Sequence, residues 1–361
     1  MEKTSCISNP QYGATRQSNI ELLRILAIIG VIVLHYNGYY AFDMVGRTGI
    51  NWWILCTLES IFLCAVNVFI LISGYFLCTT EKRNLWKPIE LVIQVSLFSG
   101  AYYLLHTIIG SDSFHFRSLI GAMVPNNYFV SLYIALYLIS PYINVIFDRL
   151  TQVQMRRMVW ILFLVFAVYP TLIDIFQCIT GRQWGGMSTV SSSGSLAGYS
   201  IVNFALVYVL GAYLRRGASR LNQWRTPQVF VLWLLCIIGL VLWDNSILFP
   251  CARSYCNPLV IITAVLTFQL FTRFKIGCSK IINVLAGGAF SGFLLHFHFL
   301  PYLHIERFAT GNPFLLLAHV LLSAVGIYGL CWCVHWVYAK ISSPVFLRLS
   351  TWLDFKMDYL K

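Results

Sequence analysis

Long apolar runs alternate with short polar segments along the whole chain. A helix needs about 20 apolar residues to cross the hydrocarbon core of a bilayer, and about ten runs approach or exceed this length. They are residues 19–40, 52–78, 88–109, 128–147, 157–179, 199–214, 227–243, 258–272, 281–300 and 314–338. The runs at 199–214 and 258–272 are short, so their limits are the least defined. The pattern predicts an all-α integral membrane fold with about ten transmembrane helices.

Composition supports a chain that lies in lipid. Of the 361 residues, 58% are hydrophobic and 11% are charged, and the mean hydropathy is +0.73. Soluble domains average about 25% charged residues, so this chain cannot cover itself with a polar surface. The net charge of +12 sits in short loops between apolar runs. We therefore expect the lipid bilayer, and no nucleic acid, as the partner of these basic residues.

The distribution of lysine and arginine predicts the orientation. With the amino terminus inside, 20 of the 25 basic residues fall in cytoplasmic segments. The other five are Arg47, Arg117, Arg182, Arg253 and Arg307. This bias follows the positive-inside rule and predicts that both termini are cytoplasmic. We divide the chain into a cytoplasmic tail (1–18), a transmembrane domain (19–340) and a second cytoplasmic tail (341–361), with an interfacial amphipathic helix as the alternative for the last segment.

The first apolar run carries three ionisable residues. The segment NIELLRILAIIGVIVLHY (19–36) contains Glu21, Arg24 and His35. Arg24 and His35 are eleven residues apart, which is three helical turns plus about 20°, so they share one face about 16 Å apart. Glu21 precedes Arg24 by three residues and shares roughly that face. Ionisable groups at this depth usually face the bundle interior or a water-filled cavity. The plainer alternatives are a snorkelling arginine and a histidine satisfied in the core.

A second buried charge is expected in the next run. Glu59 lies seven residues inward of Trp52, at a depth similar to that of His35. A carboxylate at this depth needs a partner or stays protonated. We hypothesise that Glu59 contacts His35, orients its ring and raises its basicity. The alternative is a neutral Glu59 that bonds a serine or a tyrosine elsewhere.

Four segments occur in the order found in one known family. They are NIELLRILAIIGVIVLHY (19–36), NVFILISGYFL (67–77), YFVSLYIALYLISPYIN (128–144) and FSGFLLHFHF (290–299). The first resembles the first-helix motif of the membrane-bound acyltransferase-3 family, in which an arginine precedes a histidine by eleven positions. The others resemble the Ser-Gly-Tyr helix, the aromatic helix that ends at a proline, and the late Ser…Leu-His motif of that family.

The resemblance implies acyl transfer from a cytoplasmic acyl-coenzyme A, most simply acetyl-coenzyme A, to a sugar across the membrane. It implies essential roles for Arg24 and His35. His35 would act as a general base or carry the acyl group as a nucleophile. Arg24 has a planar fork suited to phosphate, and Lys82, Arg83 and Lys87 would share the coenzyme A phosphates. Many relatives carry closely spaced arginines in this loop, whereas this chain has Arg83 followed by Lys87. Ordinary positive-inside charge is therefore the alternative role for these basic residues.

Other candidates for the substrate site lie towards the predicted outer side. His296 matches the late motif, Asp174 lies deep in the fifth run, and Trp184 is the aromatic residue of a Gly- and Ser-rich loop (181–198). Each has a structural alternative: a satisfied histidine, a buried protonated acid and a flexible linker. Cys251 and Cys256 share a loop and form a disulfide only if that loop faces an oxidising compartment. We expect no metal and no bound cofactor.

The leading functional hypothesis is an O-acetyltransferase that modifies a bacterial surface polysaccharide or its lipid-linked precursor. Its expected location is the bacterial inner membrane. A transporter or flippase for saccharides or lipids is the alternative, although transporters favour inverted repeats and none is evident. A structural subunit of an export complex is a third reading. N-acylation, a homo-oligomer and separate glycan-assembly partners stay open.

Overall fold

Helix forms at each of the ten apolar runs. The computed structural model describes residues 16–80, 83–110, 113–184, 196–217 and 223–358, and no strand occurs among them. The helices are α1 (Ser18–Met44), α2 (Ile50–Leu77), α3 (Trp86–Ile109), α4 (Tyr128–Arg149), α5 (Gln152–Thr180), α6 (Ile201–Arg215), α7 (Thr226–Asp244), α8 (Pro258–Thr272), α9 (Lys280–His298) and α10 (Pro313–Pro344). The predicted all-α membrane fold is confirmed.

Eight of these helices are long and apolar enough to cross a bilayer, while α6 and α8 are shorter apolar helices of 15 residues each. The two short helices correspond to the two short runs, so the number of crossings and the side of each terminus stay predictions. Beyond α10 the same helix continues to Asp358. The predicted carboxyl-terminal tail is therefore helical as far as it is described.

Local sequence explains where several helices begin. The Asn127 side chain accepts from the amide of Val130 at the start of α4. Thr151 forms a capping box with Gln154 at the start of α5. Such side chains satisfy amide groups that have no partner within the helix. Polar residues between the runs therefore set the helix limits, while the apolar residues set their burial.

The α1 helix lies at the centre of the bundle. It packs against α2, α8, α9 and α10, and residues on several of its faces, among them Ile28, Val33 and Tyr36, are fully or almost fully buried. A helix that is apolar on all sides is expected in the interior. Its ionisable residues are consequently held within protein rather than against lipid.

Two glycines bring α2 and α6 into backbone contact. A Cβ atom added to Gly74 would collide with the carbonyl oxygen of Tyr208, and one added to Gly211 would collide with that of Leu71. Small residues allow this close approach in membrane helices. The Ser-Gly-Tyr segment of α2 therefore has a packing role in addition to any role in chemistry.

We expect Gly74→Ala to lower the melting temperature of the purified protein in detergent, because overpacking a tight contact costs about 1–3 kcal/mol. The matched control is Gly326→Ala in α10, where an added Cβ meets no atom within 4 Å. There alanine should leave stability unchanged or raise it slightly, since it favours helix. Equal melting temperatures for the two variants would contradict the close α2–α6 contact.

Candidate active site

Two histidines from distant parts of the chain meet at the ends of α1 and α9. Nδ1 of His35 is hydrogen-bonded to Nε2 of His296, and the rings are nearly parallel, at 7°, with centroids 4.7 Å apart. His296 is 2% exposed, while His35 is half-buried. The rings of Tyr39 and Phe297 each make a T-shaped contact with the His35 ring. The pair thus has one buried member and one accessible member.

The hydrogen bonds define which ring nitrogens carry protons. Nδ1 of His296 lies 2.9 Å from the carbonyl oxygen of Gly292, and a carbonyl only accepts, so this nitrogen is the donor. In a neutral His296 the other nitrogen, Nε2, then accepts from Nδ1–H of His35. His35 is left with a lone pair on Nε2. This assignment follows from the network rather than from observed hydrogens, and it makes Nε2 of His35 a base.

Irregular helix geometry occurs at both histidines. After Tyr36, α1 widens into a π-helical turn at Asn37–Ala41, and π turns often occur at functional sites. In α9, the helix that begins at Ala289 tightens into a 3₁₀ turn at His296–His298. Both changes turn polar side chains of apolar helices towards each other.

Glu59 has a partner different from the one expected. The carboxylate accepts from Nδ2 of Asn37 at 3.1 Å, and both residues are buried, at 7% and 0% exposure. Within the described residues His35 is hydrogen-bonded to His296 and not to Glu59. The predicted Glu59–His35 contact is therefore replaced by a contact two residues further along α1. Glu59 ties the π turn to α2 and is a positioning group.

An ion pair that the sequence analysis did not single out lies near this acid. Nε and Nη2 of Arg253 each lie 2.8 Å from an Asp244 oxygen, and Asp244 is 4% exposed. Burial opposes the charge on Arg253, but Asp244 and Glu59 raise the pKa of its guanidinium. The Arg253 charge therefore compensates two buried acids, which are otherwise costly in an apolar bundle.

Arg24 lies at the other end of α1. Its Nη1 is 3.1 Å from Oε1 of Glu21, and 35% of its side chain is exposed. Glu21 itself is almost buried. The shared face of Glu21 and Arg24 is thus confirmed, and Arg24 keeps an accessible part at the predicted cytoplasmic end.

The Arg83 side chain is hydrogen-bonded to groups of the protein itself. Its guanidinium donates to the carbonyl oxygens of Leu77 at 3.1 Å and Thr80 at 2.7 Å, and to the hydroxyl of Ser140 at 2.9 Å. The last carbonyls of a helix lack partners within it, so Arg83 caps α2. This structural role is the alternative to the phosphate role of Arg83, which stays a prediction. Lys87 lies near Glu90 at the start of α3, and Lys82 lies outside the described residues.

Asp174 and Trp184 have their own neighbours. Asp174 accepts from Nε2 of Gln177 at 3.3 Å. Burial, Cys178 and then Asp174 raise the pKa of Cys251 to about 12, so Asp174 lies beside these thiols. The amide of Trp184 donates to Oε1 of Gln177, and residues 185–195 lie outside the described part of the chain. Cys251 and Cys256 are not joined by a disulfide.

A polar cavity of about 370 Å³ lies between α3 and α10. Glu90, Gln94, His335 and Ser342 are among the residues that line it. Gln94 donates to the hydroxyl of Ser291 at 2.8 Å, and that hydroxyl lies 2.9 Å from Nδ1 of His335. Ser291 precedes Gly292, whose carbonyl holds His296. The Ser291 hydroxyl therefore links two lining residues of this cavity to the turn of α9 that precedes His296.

Several of these residues escaped the sequence analysis. Gln94 and His335 lie in apolar helices and show no motif spacing, and Asn37 is a polar residue at the end of an apolar run. A signal was present for Arg253, because it is one of only five basic residues on the predicted outer side. An outer cation that breaks the charge bias is a candidate for a buried ion pair.

Comparison with known proteins gives one family. The family model described as an acyltransferase domain, Acyl_transf_3, matches residues 17–336, which is most of the chain and includes both histidines. No curated protein and no solved structure matches the chain.

We expect neutral His35 to carry its proton on Nδ1, because His296 Nε2 accepts from it. Solid-state NMR of ¹⁵N-histidine-labelled protein in lipid measures this, with His35→Gln to assign the signals. Replacing His296 by alanine should remove the tautomer preference, whereas His115→Ala, an exposed site, should not. A proton found on Nε2 of His35 would reverse the assignment.

Proposed function

Because the chain belongs to the membrane-bound acyltransferase-3 family, we propose that it transfers an acyl group from cytoplasmic acyl-coenzyme A to a sugar hydroxyl. The acceptor is a surface polysaccharide or its lipid-linked precursor, the acyl group is acetyl, and the location is a bacterial inner membrane. The observation that carries the proposal is the hydrogen-bond chain from Nδ1 of His35 through His296 to the carbonyl of Gly292, which assigns a lone pair to Nε2 of His35.

In the proposed reaction His35 is a general base. Nε2 takes the proton of the acceptor hydroxyl as its oxygen attacks the thioester carbonyl. The carbon–sulfur bond breaks, and the coenzyme A thiolate takes the proton from His35, so the histidine ends neutral. The bond to His296 stabilises the transient imidazolium by orienting Nδ1–H towards an acceptor nitrogen. Transient acylation of the same Nε2 is the alternative route.

The donor side of the proposal rests on two features near the inner ends of the helices. Arg24 exposes part of a guanidinium there, which suits a phosphate of coenzyme A. The cavity between α3 and α10 offers the buried amide of Gln94 and the imidazole of His335 beside Ser291. Hydrogen-bonding groups in this polar cavity fit the amides of a pantetheine arm.

We expect His35→Ala to abolish transfer while the protein keeps its elution volume and melting temperature. The assay is label transfer from radiolabelled acetyl-coenzyme A to a panel of glycans by purified protein in liposomes. His115→Ala is the matched control. Full transfer by His35→Ala would contradict a catalytic role. Glycan movement across the bilayer without label transfer would favour the transporter alternative, and stable label on wild-type protein would favour the acyl-histidine route.

We expect Arg24→Ala and Gln94→Ala to raise the KM for acetyl-coenzyme A by about tenfold, which corresponds to about 1.4 kcal/mol. The KM for the acceptor should not change. Gln152→Ala, an exposed position at the start of α5, is the control for Gln94. A donor KM that stays at the wild-type value in both variants would remove this donor route.

A further inference from the structure

We infer that the acceptor sugar binds on a cluster of tyrosines, here called the tyrosine platform and formed by Tyr128, Tyr199 and Tyr255. This inference rests on the proposed function, because it names the site that presents the acceptor to His35. The three residues come from three separate segments: the start of α4, the residues before α6 and the loop before α8.

The three rings form one continuous aromatic surface. The Tyr128 and Tyr199 centroids are 4.7 Å apart at 88°, and those of Tyr199 and Tyr255 are 5.0 Å apart at 78°. The Tyr128 and Tyr199 side chains both lie near the Tyr255 side chain. Tyr128 and Tyr199 are 41% and 45% exposed, whereas Tyr255 is 9% exposed. Two accessible rings therefore stand on a buried third.

The base of the platform is held rigidly. Tyr255 donates its amide to the carbonyl of Ala197 at 2.7 Å, and its own carbonyl accepts from the buried side chain of Asn67 at 2.8 Å. Ala197 adopts φ 52°, a left-handed conformation that is rare for a residue with a side chain. Such strain persists only where the surroundings enforce it, and it is common at functional sites.

Close backbone contact adds to this rigidity. Gly198 has φ 80°, and a Cβ atom there would collide with the amide nitrogen of Cys256. The segment before α6 and the loop before α8 are thus locked together at the position that carries Tyr199 and Tyr255. A site that is formed before the ligand arrives loses less entropy on binding.

Tyr39 connects the platform to the catalytic histidine. It belongs to the π turn of α1, its side chain is 60% exposed, and its ring centroid lies 5.4 Å from that of His35. Tyr39 is also an electrostatic neighbour of both Tyr128 and Tyr199. The end of α1 that carries Tyr39 and the segments that carry the three platform tyrosines all lie at the predicted outer ends of their helices, so a ligand on the platform is on the same side of the membrane as His35.

The chemistry of the platform fits a sugar ring. Tyrosine combines a flat apolar face with a hydroxyl that donates and accepts, and a sugar combines apolar C–H faces with a rim of hydroxyls. Tyrosines also gather at membrane interfaces without binding any ligand. Tyr142, which is 74% exposed, is an example of that alternative. Here two exposed tyrosines pack beside one buried tyrosine whose backbone is held by Ala197 and Asn67, which indicates a built site.

Tyr199→Ala tests the platform in two independent assays. In the transfer assay it should raise the acceptor KM by about tenfold and leave the donor KM unchanged. In saturation-transfer NMR, with methyl glycosides of glucose, galactose, mannose and N-acetylglucosamine as probes, it should remove the signal shown by the wild type. Tyr142→Ala is the control and should match the wild type in both assays.

Tyr199→Phe is the control for a folding defect in Tyr199→Ala, since it keeps the ring and removes only the hydroxyl. It should fold normally and show an intermediate acceptor KM. An unchanged acceptor KM in Tyr199→Ala, or no glycoside binding by the wild type, would overturn the platform. Binding of glycosides without any acyl transfer would instead overturn the proposed function and leave the platform standing, so the two failures are distinguishable.

Discussion

The hydrogen bond between His35 and His296 is the interaction on which the site depends. An imidazole in an apolar bundle must satisfy its N–H group, since an unpaired polar group there costs several kcal/mol. Here the requirement is met by a second histidine, which in turn is fixed by a backbone carbonyl. One constraint, the satisfaction of a buried donor, thereby leaves a single free nitrogen with basic character.

The same constraint organises the other charges of the bundle. Arg253 forms an ion pair with Asp244 and interacts electrostatically with Glu59. Arg83 donates hydrogen bonds to carbonyl oxygens at the carboxyl end of α2, which have no partners within the helix. Each places charge where backbone or carboxylate groups need it. Arg24 differs, because its partner among the described residues is a neighbour on the same helix and part of its side chain stays exposed. That difference is why the proposed donor site is placed at Arg24.

The sequence predicted helices well and contacts poorly, for physical reasons. All ten runs form helix because the length of an apolar run is a local property that the bilayer enforces. The shared face of Glu21 and Arg24 followed from helical periodicity. The pairing of His35 depends on α9, 261 residues away, and no local spacing encodes which helix packs against α1. Glu59 illustrates this limit of sequence-based prediction. It lies beside the outer part of α1, as expected from its depth, but its partner there is Asn37 and not His35.

The arrangement of the bundle fits the proposed reaction, in which the membrane separates the two substrates. In the proposed reaction one substrate arrives from each side, so the base must lie where both can reach it. His35 meets this condition because it ends the regular part of α1, with the Ser291 network behind His296 on one side and Tyr39 on the other. The π turn that follows widens α1 where the helix passes from packed interior to aromatic surface. In the proposed reaction the histidine pair is therefore reached from the Ser291 network on one side and from Tyr39 on the other, at the point where α1 and α9 both depart from regular α-helix.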